Sequence, residues 1–356
     1  MNYKILVINT GSTSTKVSLF QGTDEIYKCE MTHELKELQQ CSTLADQLPY
    51  RGKAIEEQFQ QDGVDLDGLA AVAARGGTFG TARGGAYLVE EHMLKACRHP
   101  ITDHASNLSA LIAHEIAGKN GCKAYIYDSV CTNEVEDIAR ITGLHDVKRR
   151  PFSHVLNTRA VARRQAECMG KAYEELNFVV AHLGGGISIN VHKHGRIVDL
   201  VCDDEGPMSP ERAGRLNGKA LIDLCFSGNY DKKAIMKRIK GHGGLIDLLG
   251  TSDLQLIETK IQEGDEYAAQ VIQAMAYQIA KDIAALSSVV CGRVDGIILT
   301  GGCAYSRLLT DSIIQRISYI APVSIYPGAM EMEALARGIT RVLDGEETYH
   351  IKDVRE

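Results

Sequence analysis

Ile5-Leu6-Val7-Ile8-Asn9-Thr10-Gly11-Ser12-Thr13-Ser14-Thr15-Lys16-Val17-Ser18-Leu19-Phe20 decides the reading of this chain, because a later stretch repeats its design. That stretch is Phe178-Val179-Val180-Ala181-His182-Leu183-Gly184-Gly185-Gly186-Ile187-Ser188-Ile189-Asn190-Val191. In both, an apolar strand runs into a turn of Gly, Ser or Thr, and alternating apolar residues leave it, as in a β-hairpin. The step from Gly11 to Gly184 equals the step from Gly22 to Gly195, the next turn glycines. Two matched hairpins predict two domains of one design. Their small tips predict phosphate binding, since backbone N–H groups reach a phosphoryl oxygen where no bulky side chain intervenes. The expectation is a nucleotide held in a cleft between related domains.

The 356 residues are enough for two domains that each bury a core. Acidic residues outnumber basic ones, 46 to 39, which argues against a nucleic-acid binder with its basic stripe. No run of apolar residues is long enough to cross a membrane. Met1-Asn2-Tyr3-Lys4 leads straight into a strand, so no signal peptide is expected. Ten cysteines form no C-x-x-C pair and read as scattered buried thiols in a reducing cytoplasm.

The remaining pattern is α/β, with strands alternating with helices after each hairpin. A third strand is expected at Glu25–Cys29, a helix-prone region at 34–61, and a buried strand Leu69–Ala74 opening into Arg75-Gly76-Gly77. Helical spacing marks 106–118, and the strand Ala124–Tyr127 ends on Asp128. The second half predicts helices at 158–175, 265–290 and 331–343, and strands at 297–300 and 323–326.

Hydroxyls and bare N–H groups at Asn9, Ser12, Ser14 and Lys16 make a cradle for phosphoryl oxygens, although an ordinary turn uses the same residue types. The second copy at Gly184-Gly185-Gly186 favours phosphate. Gly301-Gly302, between a buried strand and a helix, reads as the adenosine side. Gly214-Arg215-Leu216-Asn217-Gly218-Lys219-Ala220 is no P-loop, because Ala220 offers no hydroxyl for Mg²⁺. Asp128, Glu331 and Glu333 are the acidic candidates, and a Mg-nucleotide needs few protein carboxylates. Arg75 and Arg212 lie in glycine-rich loops suited to anions, with Arg83 and Arg215 as nearby decoys. His154 could donate to a transferring phosphoryl group.

Four motifs carry a resemblance: Val7-Ile8-Asn9-x-Gly11-Ser12-x-Ser14-x-Lys16, His182-Leu183-Gly184-x-Gly186, Gly206-Pro207-Met208-Ser209-Pro210-Glu211-Arg212-Ala213-Gly214, and Pro327-Gly328-x-Met330-Glu331-Met332-Glu333-Ala334-Leu335-Ala336. Together they resemble the acetate/butyrate kinase family over nearly the whole chain, and the last two are similar to its butyrate kinase branch. That family lies within the superfamily of sugar kinases, actin and heat-shock chaperones. The resemblance implies two duplicated domains of the actin-like ATPase (ribonuclease H-like) type, residues 1–150 joined by a C-terminal helix at about 335–356, and 151–334. It implies phosphoryl transfer from ATP to butanoate with Mg²⁺, giving butanoyl phosphate and ADP, in a cytoplasmic homodimer or higher homo-oligomer.

Carried over by motif, Asn9, Ser12, Ser14 and Lys16 would face the phosphates, opposed by His182, Gly184, Gly185 and Gly186. Asp128 with Glu331 or Glu333 would organise Mg²⁺. His154, Arg75 and, by position, Arg212 would meet the transferring group. Departures from the acetate kinase pattern are Gly185 in place of an asparagine, and Asp103-His104 where a histidine is expected one place earlier; they argue against acetate as the preferred acid. Branched short-chain acids or acetate are alternative acceptors. A sugar or polyol kinase with Asp128 as base, or a non-catalytic ATP-binding regulator, are more distant readings.

Overall fold

The computed structural model describes residues 2–78, 80, 82–100, 104–149, 152–202 and 204–351. Asp103 lies outside them. The strands in chain order are β1 (Lys4–Thr10), β2 (Ser14–Gln21), β3 (Asp24–Thr32), β4 (Leu69–Arg75), β5 (Ala86–Leu88), β6 (Lys123–Tyr127), β7 (Asn177–Leu183), β8 (Ile187–Lys193), β9 (Arg196–Val201), β10 (Gly296–Gly301), β11 (Val323–Pro327) and β12 (Tyr349–His350). Contacts divide the chain into one unit of residues 1–133 with 330–356, and another of 134–329. These divisions fall at 133/134 and 329/330, against the expected 150/151 and 334/335.

The first unit holds a sheet in the order β12-β5-β6-β4-β1-β2-β3, the second a sheet in the order β11-β10-β7-β8-β9. Within both, a first strand is followed on one side by two successive antiparallel pairings and on the other by two parallel ones. The order β3-β2-β1-β4-β6 is thus repeated as β9-β8-β7-β10-β11. A register shift interrupts the outer pairing in each, between Leu19 and Phe20 and between Val191 and His192.

Alternation along a strand explains how each sheet is used. In β1, Leu6 and Ile8 enter a core with Ile55, Leu108, Leu111 and Ile112, which leaves Ile5, Val7 and Asn9 for the opposite face. In β7, Val179, Ala181 and Leu183 enter a core with Ile272, Met275, Ile279 and Ile283, which leaves Phe178, Val180 and His182. His182 therefore repeats the place of Asn9, two residues before the first glycine of the turn.

The helix Glu331–Leu343 lies where the sequence places it. The helix expected at 158–175 instead spans Val155–Cys168, and a separate short turn covers Tyr173–Glu175. Gly170 adopts φ +66° between them, a left-handed conformation that stops helix propagation. The helix-prone region at 34–61 breaks into Leu35–Gln39 and Leu48–Asp62. The ten cysteines are all free, but only Cys97, Cys131, Cys202 and Cys303 are buried; Cys29, Cys41 and Cys122 are partly exposed and Cys168, Cys225 and Cys291 exposed. Among the described residues no helix is long and apolar enough to cross a membrane.

Candidate active site

In the first unit β1 ends at Thr10 and β2 begins at Ser14, so Gly11-Ser12-Thr13 forms the turn. Ser12 and Thr13 are exposed at its tip. Just beneath, Asn9 is 6% exposed and its amide donates to Glu331 Oε2 at 2.8 Å. Arg75, the last residue of β4, reaches both oxygens of the same carboxylate at 3.3 Å. Glu331 comes this close because the helix it opens packs tightly on the sheet. A Cβ at Gly338 would stand 2.8 Å from the Tyr127 ring.

Three predicted residues of this unit take other partners. Glu333 pairs along its own helix with Arg337 at 2.9 Å. Lys16 is half-exposed and lies 3.6 Å from Glu30, its cross-strand neighbour. Asp128 is buried at φ +43° and exchanges hydrogen bonds with Gly85, accepting from its N–H at 2.8 Å. Between Glu331 and Glu333, the side chain beside Asn9 is Glu331.

In the second unit a polar row crosses the sheet, as Ser188, His182, Thr300 and Tyr326 are consecutive cross-strand partners. Asn157, fully buried on the helix Val155–Cys168, donates through Nδ2 to His182 Nδ1 at 2.9 Å and to Thr300 Oγ1 at 3.1 Å. An amide nitrogen only donates, so Nδ1 must accept, which leaves the ring proton on Nε2. That nitrogen lies under the glycine turn, 3.1 Å from where a Cβ at Gly184 would stand. His154 stacks on His182 with centroids 3.9 Å apart and planes 10° from parallel, and its Nδ1 meets Ser188 Oγ at 2.9 Å.

Gly185 is fixed from behind, since its carbonyl accepts from Ser209 Oγ at 2.5 Å and from the Glu211 N–H at 3.1 Å. The Ser209–Glu211 loop thus holds the second turn, while the Arg212 guanidinium faces Asp204 at 3.3 Å. The decoy Arg215 pairs with the buried Asp282 at 3.1 Å. Gly301, at φ +91°, brings β10 so near β7 that a Cβ would lie 2.3 Å from the Leu183 carbonyl oxygen. Gly302 beside it opens on a cleft of about 390 Å³ that Ser252, Asp253, Glu258, Cys303 and Tyr305 also line. Burial and then Glu211 push the Cys303 thiol up to about 12, so it lines the cleft as a neutral group. Asn157, Ser188, Thr300 and the cleft residues other than Gly302 escaped the sequence reading. Nothing in the local sequence marks Asn157, which stands in the first turn of its helix.

No group of three side chains able to hold a metal ion occurs among the described residues. Glu331 nevertheless suits Mg²⁺, which keeps several waters and takes one or two carboxylates with substrate phosphates. Its carboxylate is 20% exposed and its neighbours are an amide and a guanidinium rather than other acids.

A model of the acetokinase family matches residues 138–318. The chain is 43% identical over 350 residues to Butyrate kinase 2 of Clostridium acetobutylicum, covering 98% of both chains. In fold it is similar to the Porphyromonas gingivalis acetate kinase, with TM-score 0.78 at 19% identity over 95% of this chain and 99% of that one. A propionate kinase from Francisella tularensis is also similar, with TM-score 0.73 at 15% identity over 94% and 98%. The fold is therefore the actin-like ATPase type of the carboxylate kinases. By this near full-length identity and the family match, the chain belongs to the acetokinase family.

Proposed function

We propose that the chain catalyses reversible phosphoryl transfer between ATP and butanoate, giving butanoyl phosphate and ADP. The observation that carries this reading is the 43% identity, over nearly the full length, to a butyrate kinase. A short-chain carboxylate has a pKa near that of Glu, about 4.3, so it is ionised at neutral pH and attacks phosphorus without a general base. The protein's work is then positioning and neutralising charge.

In this reading the Gly11–Thr13 and Gly184–Gly186 turns offer N–H groups to phosphoryl oxygens. The His182 Nε2–H, held in that tautomer by Asn157, donates to a phosphoryl oxygen beside its own turn. His154, stacked on His182, donates to the group in transfer, and Arg75 neutralises carboxylate or phosphoryl charge. The cleft at Gly302 takes the adenosine; Asp253, whose Oδ1 caps its own helix, and Glu258, whose Oε1 accepts from the Ser306 hydroxyl, each keep one carboxylate oxygen for its hydroxyls. Mg²⁺, when bound, would screen charge between phosphate oxygens, and Glu331 with Asn9 would hold it. Lys16, Asp128 and Arg212 would have to leave their present partners to take part. The resemblance also supports a homo-oligomer, and ten free cysteines support a cytoplasmic setting.

The test is the rate of ADP release across straight and branched C2 to C6 carboxylates, with glycerol and glucose alongside. Butanoate or a close neighbour should turn over fastest. One methylene discriminates by about 1–3 kcal/mol, so the adjacent acids should follow within roughly 200-fold. Turnover of the polyols, or of no acceptor, would contradict the reading.

A further inference from the structure

Arg51, on the helix Leu48–Asp62, is fully buried and has no role in the site described so far. Its guanidinium bonds to no carboxylate among the described residues. Nη1 donates to the carbonyls of Gly11 and Ser14 at 3.0 Å each and to Thr15 Oγ1 at 3.2 Å. Nη2 donates to the Ser12 carbonyl at 2.8 Å, and Nε and Nη2 share Gln47 Oε1 at 3.1 and 3.0 Å. Every acceptor is neutral. A buried cation without a counter-ion is costly, so its place behind one particular turn needs a reason.

The turn's own hydrogen bonds supply one. The Thr13 carbonyl accepts from the His33 N–H and the Ser14 carbonyl also accepts from the Gly11 N–H, both at 2.8 Å. All four carbonyls from Gly11 to Ser14 are thus tied within the protein. The N–H groups of Ser12 and Thr13 find no acceptor among the described residues, and both residues are exposed. Carbonyl oxygens repel a phosphoryl group and N–H groups attract it, so a turn with its carbonyls withdrawn is an anion nest. His33, whose Nε2 meets Thr15 Oγ1 at 2.8 Å, is pushed down to about 4 by burial and then by Arg51. At neutral pH the positive charge behind the turn is therefore that of Arg51.

We propose that Arg51 is a positioning residue for phosphoryl binding: its fork draws in the carbonyls of Gly11, Ser12 and Ser14, presents the Ser12 and Thr13 N–H groups to the phosphate, and leaves its charge to be answered by that anion. The proposal rests on the reading of this turn as a phosphate cradle.

The experiment compares wild type with Arg51→Gln, Arg51→Lys, Gln47→Met and Ile55→Val. For each it reads kcat and KM with MgATP and butanoate, and the rise in Tm produced by MgATP. Lost support of a liganding group typically costs about 10–100-fold, so Arg51→Gln should lose kcat at the upper end and Arg51→Lys at the lower. Gln47→Met, which loosens the fork without touching the turn, should lose a few-fold. In the Arg51 variants the MgATP-induced rise in Tm should shrink by more than half. Ile55→Val, on the same helix, should lower Tm yet keep wild-type kcat and the full rise. Arg51→Gln with wild-type kcat and an undiminished rise would overturn the proposal. If that variant does not fold, Gln47→Met with both values unchanged overturns it instead. A wild type that is stabilised by MgATP but turns over no carboxylate would defeat the functional reading, while the thermal shifts still judge Arg51.

Discussion

Glu331 and Glu333 are the same chemical group two positions apart, and sequence offers no means to choose between them. The structure separates them by direction, since one meets Asn9 and Arg75 and the other closes an i,i+4 pair on its own helix. Glu331→Gln should lower kcat about 100-fold, the scale of losing one preorganised electrostatic contact, and Glu333→Gln should leave it within about twofold. Steady-state rates at saturating butanoate check both. Asn157 is subtler, because it would act through the His182 tautomer. Asn157→Leu should cost about 10–100-fold in kcat with little change in KM for butanoate, a split that a folding defect would not produce. His154 and His182 were legible as candidates, while Asn157 and Arg51 were not. Their importance comes from what they hold, and no spacing rule encodes that.

His33 makes a prediction of the opposite kind, about stability rather than rate. Its folded pKa is about 4 against the ordinary 6.5, so the unfolded chain takes up the proton first as pH falls. The stability it contributes is therefore present above about 6.5 and is lost progressively down to about 4. The loss amounts to about 3 kcal/mol. Urea unfolding between pH 7 and pH 4 should show this slope, and His33→Gln should flatten it.

Among the elements, the strongly patterned ones were readable and the ends were not. The apolar face and flanking Pro327-Gly328 set the helix at 331–343, whereas 155–168 was displaced because Gly170 ends it. What no local pattern discloses is how near a helix comes to its sheet. Gly338 faces the Tyr127 ring so closely that an added methyl must move one of them. Gly338→Ala should cost about 1–3 kcal/mol by overpacking and, by shifting the helix, should also weaken the Glu331 contact. A lower urea midpoint together with a fall in kcat is expected. A lower midpoint with unchanged kcat would show that the packing serves stability alone.

At the scale of the molecule, the duplication was visible in two turns and invisible elsewhere. The units share the order and direction of five strands and a register shift in the outer pairing, yet their sequences coincide mainly where the backbone must stay bare. A hydrophobic core accepts many sequences of suitable size, while an anion-binding turn tolerates few side chains. For the same reason the Asn9–Glu331 contact, 322 positions apart along the chain, left no periodic trace.

In the proposed transfer a carboxylate oxygen attacks the terminal phosphorus of ATP with no proton to remove. The measurement that reaches it most directly uses butanoate labelled with ¹⁸O in both oxygens, with hydroxylamine to trap the acyl product. Hydroxylamine attacks the acyl carbon and releases phosphate together with the bridging oxygen. Attack by the carboxylate oxygen gives one ¹⁸O in each phosphate released, in amounts equal to the butanoyl hydroxamate formed. Unlabelled phosphate, or phosphate without hydroxamate, would contradict it.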